Sequence, residues 1–211
     1  MSASKNKAAA ASNLNGVNVD AFGKLVHNVS QDPKAGDTEW SVQTTWTTGL
    51  KTTTTIGSNT DDTATATATT TTATTAAIAT TENSTVRRVH SDEPLVLGGT
   101  DTAPNPGEYL LTALGQCLTV SHVAAATKRG VQLTSLSVSV TGSLALNYFL
   151  GLTSSATRAG FTPIHAVVHA TAAPSVSAAV LREIHDEAVR ISPIANTLRG
   201  QAPVHVQLES A

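Results

Sequence analysis

Apolar and polar positions along the chain alternate with the period of a helix in some segments and with a period of two residues, typical of strands, in others. The changes between these periods predict where helices and strands begin and end. The first helical pattern predicts a short helix that ends at Pro33 and Gly36. The apolar residues that carry it are Val17, Val19, Phe22, Leu25, Val26 and Val29. Alternating residues at 38–57, beginning with Trp40, then predict a hairpin that turns at Gly49.

The most clearly delimited helix is predicted at 106–129. Asn105 is a suitable N-cap, and Pro106 suits the first helical position. Glu108 completes a capping box with Asn105. Two basic residues occupy the last turn, where the helix dipole favours cations, and Gly130 suits the end.

The C-terminal half mixes strand and helix patterns. Strands are predicted at 131–145 and 164–172, and a helix is predicted at 176–190. Ser192 is interpreted as the N-cap of a short helical turn, and alternating residues at 204–208 predict a last strand. The order of helix, hairpin, strand, long helix, strands, helix and strand indicates an α+β fold.

Two segments fall outside these patterns. Residues 1–15 are small and polar and are predicted to form a flexible tail. Residues 58–85 are dominated by Thr and Ala, which bury little surface, so 58–76 is predicted to be a loose, dispensable loop. We therefore predict one domain at 16–211 with a Thr/Ala-rich insertion at about 58–85.

Composition narrows the function classes. The 211 residues have a formal net charge of −2 and no basic stripe with interleaved aromatics, so no nucleic-acid partner is expected. No stretch approaches the roughly 18–20 apolar residues of a membrane helix, and the start lacks the apolar run of a signal peptide. A cytoplasmic protein without a membrane partner is expected. Its single cysteine excludes an intrachain disulfide.

Two motifs resemble a known family. The sequence DEPLVLGGTDTAPNPGEYLLTALGQCL at 92–118 resembles the central segment of the OsmC/Ohr proteins, the osmotically inducible and organic-hydroperoxide-resistance proteins. The sequence SPIANTL at 192–198 is similar to their Cys-Pro-x-x-Asn segment. With the N-terminal helix and hairpin, the resemblance covers about 14–210, and 58–85 is unmatched.

The resemblance implies a fold and an activity. The fold is an OsmC-like α+β fold, in which two sheets wrap around central helices in an intertwined homodimer. The activity is reduction of organic hydroperoxides by a reactive cysteine, which a second cysteine then resolves. An arginine and a glutamate assist the first cysteine, and neither a cofactor nor a metal is implied.

Cys117 stands at the position of the reactive cysteine. Its place in the middle of a helix by itself favours a small buried hydrophobe, and the resemblance makes the reactive thiol an equally good interpretation. Ser192 stands where the family has its second cysteine, so an external thiol reductant would have to resolve an oxidised Cys117.

The assisting residues match less closely. Gly107 occupies the position of the family's glutamate, and Glu108 follows one residue later, nearly opposite Cys117 on a helix. The assisting arginine would be Arg88 or its neighbour Arg87, of which at most one can face inward on a strand. Capping by Glu108 and a solvated strand edge for the arginines are the alternatives.

Three functions are left open by these residues. The first is a one-cysteine, thiol-dependent hydroperoxide reductase with Cys117, Arg88 and Glu108 as site residues. The second is a dimer that binds an apolar small molecule without turnover, and the third is a structural role. A zinc site is not expected, because His165 and His169 share a strand face without a third ligand.

Overall fold

A computed structural model describes residues 13–38, 40–56, 87–151 and 160–208. The Thr/Ala-rich segment predicted at 58–85 and most of the predicted tail lie outside these residues. The chain divides into two compact units, which are described separately. One comprises Asp20–Pro106, and the other comprises Met1–Val19 with Gly107–Ala211.

The unit Asp20–Pro106 consists of one helix and a three-stranded antiparallel sheet. Helix α1 spans Val19–Gln31, and a 3-10 turn follows at Pro33–Gly36. The sheet has the order β3-β4-β5, with β3 at Val42–Thr48, β4 at Lys51–Ile56 and β5 at Arg87–Ser91. The predicted helix, hairpin and following strand are confirmed.

Threonine and tryptophan side chains fasten this hairpin. The hydroxyls of Thr44 and Thr54 lie 2.8 Å apart across β3 and β4. Trp46 Nε1 donates to the carbonyl of Gly49, which has the positive φ of 55° that its place in the turn requires. Polar cross-strand pairs therefore contribute to the stability of this hairpin, as large apolar pairs do in other sheets.

The second unit is built on helix α2, at Pro106–Lys128, as predicted. Strands β6 at Leu133–Leu144 and β7 at Phe161–Ala172 form an antiparallel pair, and a short helix α3 lies between them at Leu146–Phe149. Helix α4 at Ala178–Ile191 leads into the short α5 at Pro193–Asn196 and a π-type turn at Thr197–Gln201. A Ser177 hydroxyl accepts from the Val180 N–H and caps α4.

A two-stranded hairpin that the sequence did not indicate precedes α1. Strands β1 at Asn13–Leu14 and β2 at Val17–Asn18 pair across Asn15 and Gly16, both of which have positive φ. The Asn15 side chain donates to the carbonyl of Val131 at 2.9 Å and accepts from the N–H of Leu133 at 2.8 Å. These bonds attach the hairpin to the segment between α2 and β6.

The core of this unit lies between α2 and α4. Ala125 and Ala126 of α2 pack against Ile184 and Ala188 of α4, and the small alanines let the two helices approach closely. A second cluster joins Leu114 and Leu118 of α2 to Ala195 of α5. The core therefore rests on aliphatic residues, in keeping with an aromatic content of 3%.

Helix α2 is long and apolar enough to cross a membrane. Its most apolar window has a mean hydropathy of 1.3, and 39% of that window is buried inside the structure. The expectation that no stretch is long and apolar enough to cross a membrane is therefore wrong, as judged by length and composition. A single such helix is weak evidence for a span, since the core helix of a soluble protein has the same properties.

The last predicted strand is wrong for the described chain. Residues 203–208 have no assigned secondary structure. Val204, Val206 and Leu208 are 85%, 90% and 90% exposed. A strand exists only when its N–H and C=O groups pair with a neighbour, and the described sheet of β6 and β7 has two strands.

Candidate functional site

The single thiol lies beside a buried hydroxyl. Cys117 lies in the middle of α2 and is partly buried. Its Sγ lies 3.2 Å from Oγ of Ser192, a residue with 0% exposure. The two residues are 75 positions apart in sequence, and the packing of α4 and α5 against α2 brings them together. A sulfur and a hydroxyl at this distance can exchange a hydrogen bond in either direction.

The prediction that Ser192 is the N-cap of a short helix is confirmed for its position but not for its side chain. The residue does occupy the N-cap position of α5, but its side chain makes no capping hydrogen bond. Its backbone carbonyl instead accepts from the Asn196 N–H at 3.1 Å. The Asn196 side chain donates to the Arg190 carbonyl at 3.0 Å. The backbone at Ser192 is thus held by its neighbours, and its hydroxyl is left for Cys117.

A groove of about 500 Å³ borders the same part of α2. We call it the α2–β7 groove. Most of its lining is apolar, and the two polar exceptions are His185 and Arg199. The apolar lining comprises Leu114, Leu118, Phe161, Ile164, Ala166, Val168, Val189, Ala195 and Leu198. A concave, mainly apolar site with few polar groups is typical of a small-molecule site.

Two histidines form a hydrogen-bonded pair between α2 and α4. His122 is 2% exposed, and its Nδ1 lies 2.7 Å from the carbonyl oxygen of Leu118. Its Nε2 lies 3.0 Å from Nδ1 of His185. Burial lowers the pKa of His122, the bond to the Leu118 carbonyl opposes that change, and the nearby His185 lowers the pKa further. The two ring nitrogens of His122 thus have Leu118 and His185 as their hydrogen-bond partners.

The predicted assisting residues lie on different elements, Glu108 in the first turn of α2 and Arg88 on β5. Helix α2 is continuous from Glu108 to Cys117, and nine residues of helix separate them by about 14 Å along the axis. Arg87 and Arg88 lie on β5 in the other unit, opposite Ile56 and Thr55 of β4. The roles of Arg88 and Glu108 stay predictions.

A buried carboxylate organises the loop before α2. Asp92 is 1% exposed and accepts from the backbone N–H groups of Glu93, Thr100 and Thr102. The hydroxyls of Thr100 and Thr102 also donate to it, at 2.7 and 2.8 Å, and Lys51 Nζ lies 3.9 Å away. The Thr100 hydroxyl is the main cause that holds the pKa of Asp92 far below its usual value, against the opposing effect of burial.

The two glycines of this loop are explained by the same arrangement. Gly98 has a φ of 86° and ends the 3-10 turn at Leu95–Leu97. A side chain at Gly99 would collide with the carbonyl of Glu93. The Gly-Gly pair therefore allows the chain to fold back so that Thr100 and Thr102 reach Asp92.

Ion pairs join the C-terminal end of α2 to α4. Arg129 contacts Glu183 at 2.8 Å and Glu187 at 3.2 Å, and Lys128 contacts Glu187 at 3.1 Å. The hydrogen bond from Lys128 is the main cause that lowers the pKa of Glu187. The basic residues predicted to suit the end of the helix thus also hold α4 against it.

Sequence reasoning missed the partners that these groups find in space. His185 carries no local signal, because it lies 63 positions from His122. The Asp92 cluster could have been suspected from DEPLVLGGTDT, since an aspartate followed by paired threonines after a Gly-Gly turn favours local side-chain to backbone bonds. Among the described residues, no three His, Cys, Asp or Glu side chains are grouped so that they could hold a metal ion.

Comparison with known families gives one match. The family model described as OsmC-like protein matches residues 99–208, which include α2, Cys117 and Ser192. No curated protein matches the chain.

Comparison with solved structures gives the same fold. An OsmC-like protein from Mycoplasma pneumoniae superposes with a TM-score of 0.54 at 16% identity, over 78% of this chain and 90% of that chain. An OsmC-like protein of unknown function from Vibrio cholerae gives 0.50 at 15% identity, over 76% and 94% of the two chains. An organic hydroperoxide resistance protein from Legionella pneumophila gives 0.48 at 15% identity, over 77% and 90%. At these identities the first two matches show the fold alone.

Proposed function

The chain belongs to the OsmC-like protein family and has the family's α+β fold, and from this premise we propose that it reduces organic hydroperoxides through Cys117 alone. The observation that carries the proposal is the contact at 3.2 Å between Cys117 Sγ and Ser192 Oγ. It brings together the two positions at which the resemblance expects a reactive and a resolving thiol. Here a hydroxyl, which cannot form a disulfide, takes the second place.

The proposed reaction has two stages. The Cys117 thiolate attacks one oxygen of the hydroperoxide, an S–O bond forms as the O–O bond breaks, and the alkoxide takes up a proton and leaves as an alcohol. The sulfur is oxidised to a sulfenic acid by two electrons, and the peroxide is reduced. An external thiol then displaces water from the sulfenic acid and forms a mixed disulfide with Cys117. A second external thiol attacks this mixed disulfide, which releases reduced Cys117 and leaves a disulfide between the two external thiols.

The test is peroxide-dependent oxidation of Cys117. With tert-butyl hydroperoxide and no reductant, we expect the protein to gain one oxygen atom and then a second, because no other cysteine can trap the sulfenic acid. Mass spectrometry of the peptide containing Cys117 measures the product. Cys117→Ser should gain nothing there, and an unmodified Cys117 in folded protein at millimolar peroxide would exclude the enzyme.

Neighbouring arginines supply a matched control for the assisting role. If Arg88 stabilises the developing negative charge, Arg88→Ala should slow oxidation by about 100-fold, in the range found for loss of one such donor. Arg87→Ala, one residue away on β5, should leave the rate within about threefold, since adjacent strand residues face opposite sides. Equal effects of both variants would leave Arg88 without a specific role.

We also propose that the protein acts as a homodimer in the cytoplasm, where a lone cysteine stays reduced. The support is the set of large apolar side chains left exposed in each unit. They include Trp40 and Trp46 in one unit, and Phe149, Val204, Val206 and Leu208 in the other. Exposed apolar groups of this size favour association.

The C-terminal segment allows a direct test of association. Light scattering across a dilution series should give the mass of a dimer for the wild type down to nanomolar protein. Val204→Ser combined with Val206→Ser should weaken the dimer by at least about tenfold. Both side chains are exposed in the single chain, so their apolar surface is free to be buried in the dimer. His205→Ser combined with Gln207→Ser, on the alternating positions, is the control. A folded wild-type monomer at micromolar concentration would exclude the dimer.

A binding function without turnover is the second candidate. The α2–β7 groove favours it, because its lining is mainly apolar and includes Leu114 and Leu118 on either side of Cys117 in sequence. In that case Cys117→Ser would keep ligand binding, and peroxide would leave the wild type unmodified.

A further inference from the structure

The side chain of Asn15 fastens the N-terminal hairpin to the segment between α2 and β6. Its Nδ2 donates to the carbonyl of Val131 at 2.9 Å and to Oγ1 of the buried Thr127 at 3.1 Å. Its Oδ1 accepts from the N–H of Leu133 at 2.8 Å. The amide therefore donates and accepts at the same time, which a carboxylate, an acceptor only, cannot do.

Asn15 is also the first residue of an Asn-Gly turn. Strands β1 and β2 pair through Leu14 and Val17, so Asn15 and Gly16 are the two turn residues, with φ of 54° and 77°. Asn-Gly is favoured in such turns because both residues tolerate positive φ. The same pair is chemically labile, since asparagine is a thermolabile residue and glycine has no Cβ to shield its backbone nitrogen.

We propose that Asn15 is a deamidation site that docking of the hairpin protects, and that deamidation releases the hairpin permanently. The backbone nitrogen of Gly16 attacks the side-chain carbonyl carbon of Asn15, and a C–N bond forms. The bond from that carbon to Nδ2 breaks, and ammonia leaves with the proton of the attacking nitrogen. Water then opens the cyclic imide at either of its carbonyls and leaves aspartate or isoaspartate.

The docking bonds oppose the first step of this reaction. Ring closure requires the amide of Asn15 to rotate so that its carbon reaches the nitrogen of Gly16. An amide held by three hydrogen bonds rotates only after these bonds have opened. The reaction therefore proceeds from the undocked hairpin, which the folded chain visits by local opening.

The product cannot dock as the amide does. A carboxylate at position 15 has no hydrogen for the Val131 carbonyl, and its negative charge would face that oxygen. Isoaspartate also adds a methylene group to the main chain within the turn. Each opening that ends in deamidation is therefore permanent, and the hairpin stays detached from the segment between α2 and β6.

The first measurement compares folded and urea-unfolded full-length protein at pH 8. Trypsin releases the peptide 8–24, which contains Asn13 and Asn18 beside Asn15, and mass spectrometry locates the exchange of NH₂ for OH. In urea Asn15 should react ahead of the other two, because bulkier residues follow them. In the folded protein Asn15 should react at least about tenfold more slowly than in urea. Equal rates in the two states would overturn the proposed protection.

A matched pair of threonine variants tests the docking bonds. Thr127→Val removes one bond to Asn15 and keeps a side chain of similar shape, so deamidation in the folded protein should be at least about threefold faster. Thr119→Val is the control, because the Thr119 hydroxyl donates to the Gly115 carbonyl within α2 and does not contact the hairpin. An unchanged rate in Thr127→Val would contradict the proposal. If that variant does not fold, the comparison of folded and unfolded wild type decides.

Asn15→Asp reproduces one product and tests the release. Hydrogen exchange of the Leu133 amide should be at least about tenfold faster in this variant, because that amide loses its acceptor. Asn13→Asp is the control, since Asn13 is exposed on the same hairpin and gains the same charge away from the docking bonds. Unchanged Leu133 exchange in Asn15→Asp, or equal acceleration in both variants, would overturn the release. Neither measurement depends on Cys117.

Discussion

Ser192→Cys is expected to form a disulfide with Cys117 when the purified protein is oxidised. The two side-chain atoms lie 3.2 Å apart, and a shift of about 1 Å brings two sulfurs to the bonding distance of about 2.0 Å. The bond would join residues 75 positions apart, and the loop-entropy model then gives about 4 kcal/mol of stabilisation, less any strain. Thermal unfolding with and without reductant measures this difference.

The same substitution should change how the protein responds to peroxide. The introduced thiol can attack the sulfenic acid at Cys117, so that a disulfide forms and water leaves before a second oxygen is added. We expect formation of the sulfinic acid to slow by at least about tenfold. Recovery of the reduced protein should then require a dithiol, which mass spectrometry can follow over repeated cycles.

Ser137→Cys is the control for this experiment. Ser137 lies exposed on β6, so its thiol adds a second cysteine without a place beside Cys117. That variant should neither form the internal disulfide nor gain protection. Two free thiols in oxidised, folded Ser192→Cys protein would contradict the observed proximity of the two side chains.

Asp92→Asn is expected to give the largest loss of stability among single substitutions in the unit Asp20–Pro106. The groups around Asp92 that contact it are all donors, namely backbone N–H groups and the hydroxyls of Thr100 and Thr102. An amide would turn its own N–H₂ toward these donors and leave some of them unsatisfied. We expect the Tm at pH 7 to fall by roughly 5–10 °C, a range typical of a broken buried network.

The pH dependence gives this prediction a second measurement. The pKa of Asp92 is lowered in the folded protein, mainly by the Thr100 hydroxyl. Its contribution to stability is therefore complete above the unfolded pKa of about 3.9 and is lost as the pH falls toward the folded value. The gap in Tm between wild type and Asp92→Asn should accordingly be wide at pH 7 and should shrink progressively as the pH falls below about 4.

Asp101→Asn is the matched control for the carboxylate. Asp101 lies in the same loop and is exposed, and its φ of 56° is one that asparagine also adopts readily. Removal of this charge should change the Tm by less than about 2 °C at either pH. An effect equal to that of Asp92→Asn would mean that net charge, rather than the buried network, determines the stability of the loop.

The sequence by itself determined the elements that depend on neighbouring residues. Helix α2 begins at Pro106 as predicted, and α4 and the β3–β4 hairpin also lie where the periodicity placed them. Caps, turn glycines and alternation act over a few residues, so their information is local. The motif around Cys117 also sufficed to recognise the family, which the match over residues 99–208 supports.

Only the tertiary structure decided which side chains meet. Whether the Ser192 hydroxyl caps α5 or contacts Cys117 depends on how closely α5 packs against α2, and the structure selects the thiol. His122 finds His185 for the same reason, because the small alanines of the helix interface bring α4 near. The prediction of a last strand was wrong because alternation is a local property, whereas a strand requires a partner elsewhere in space. Contacts between distant residues are set by packing, and no short stretch of sequence contains that information.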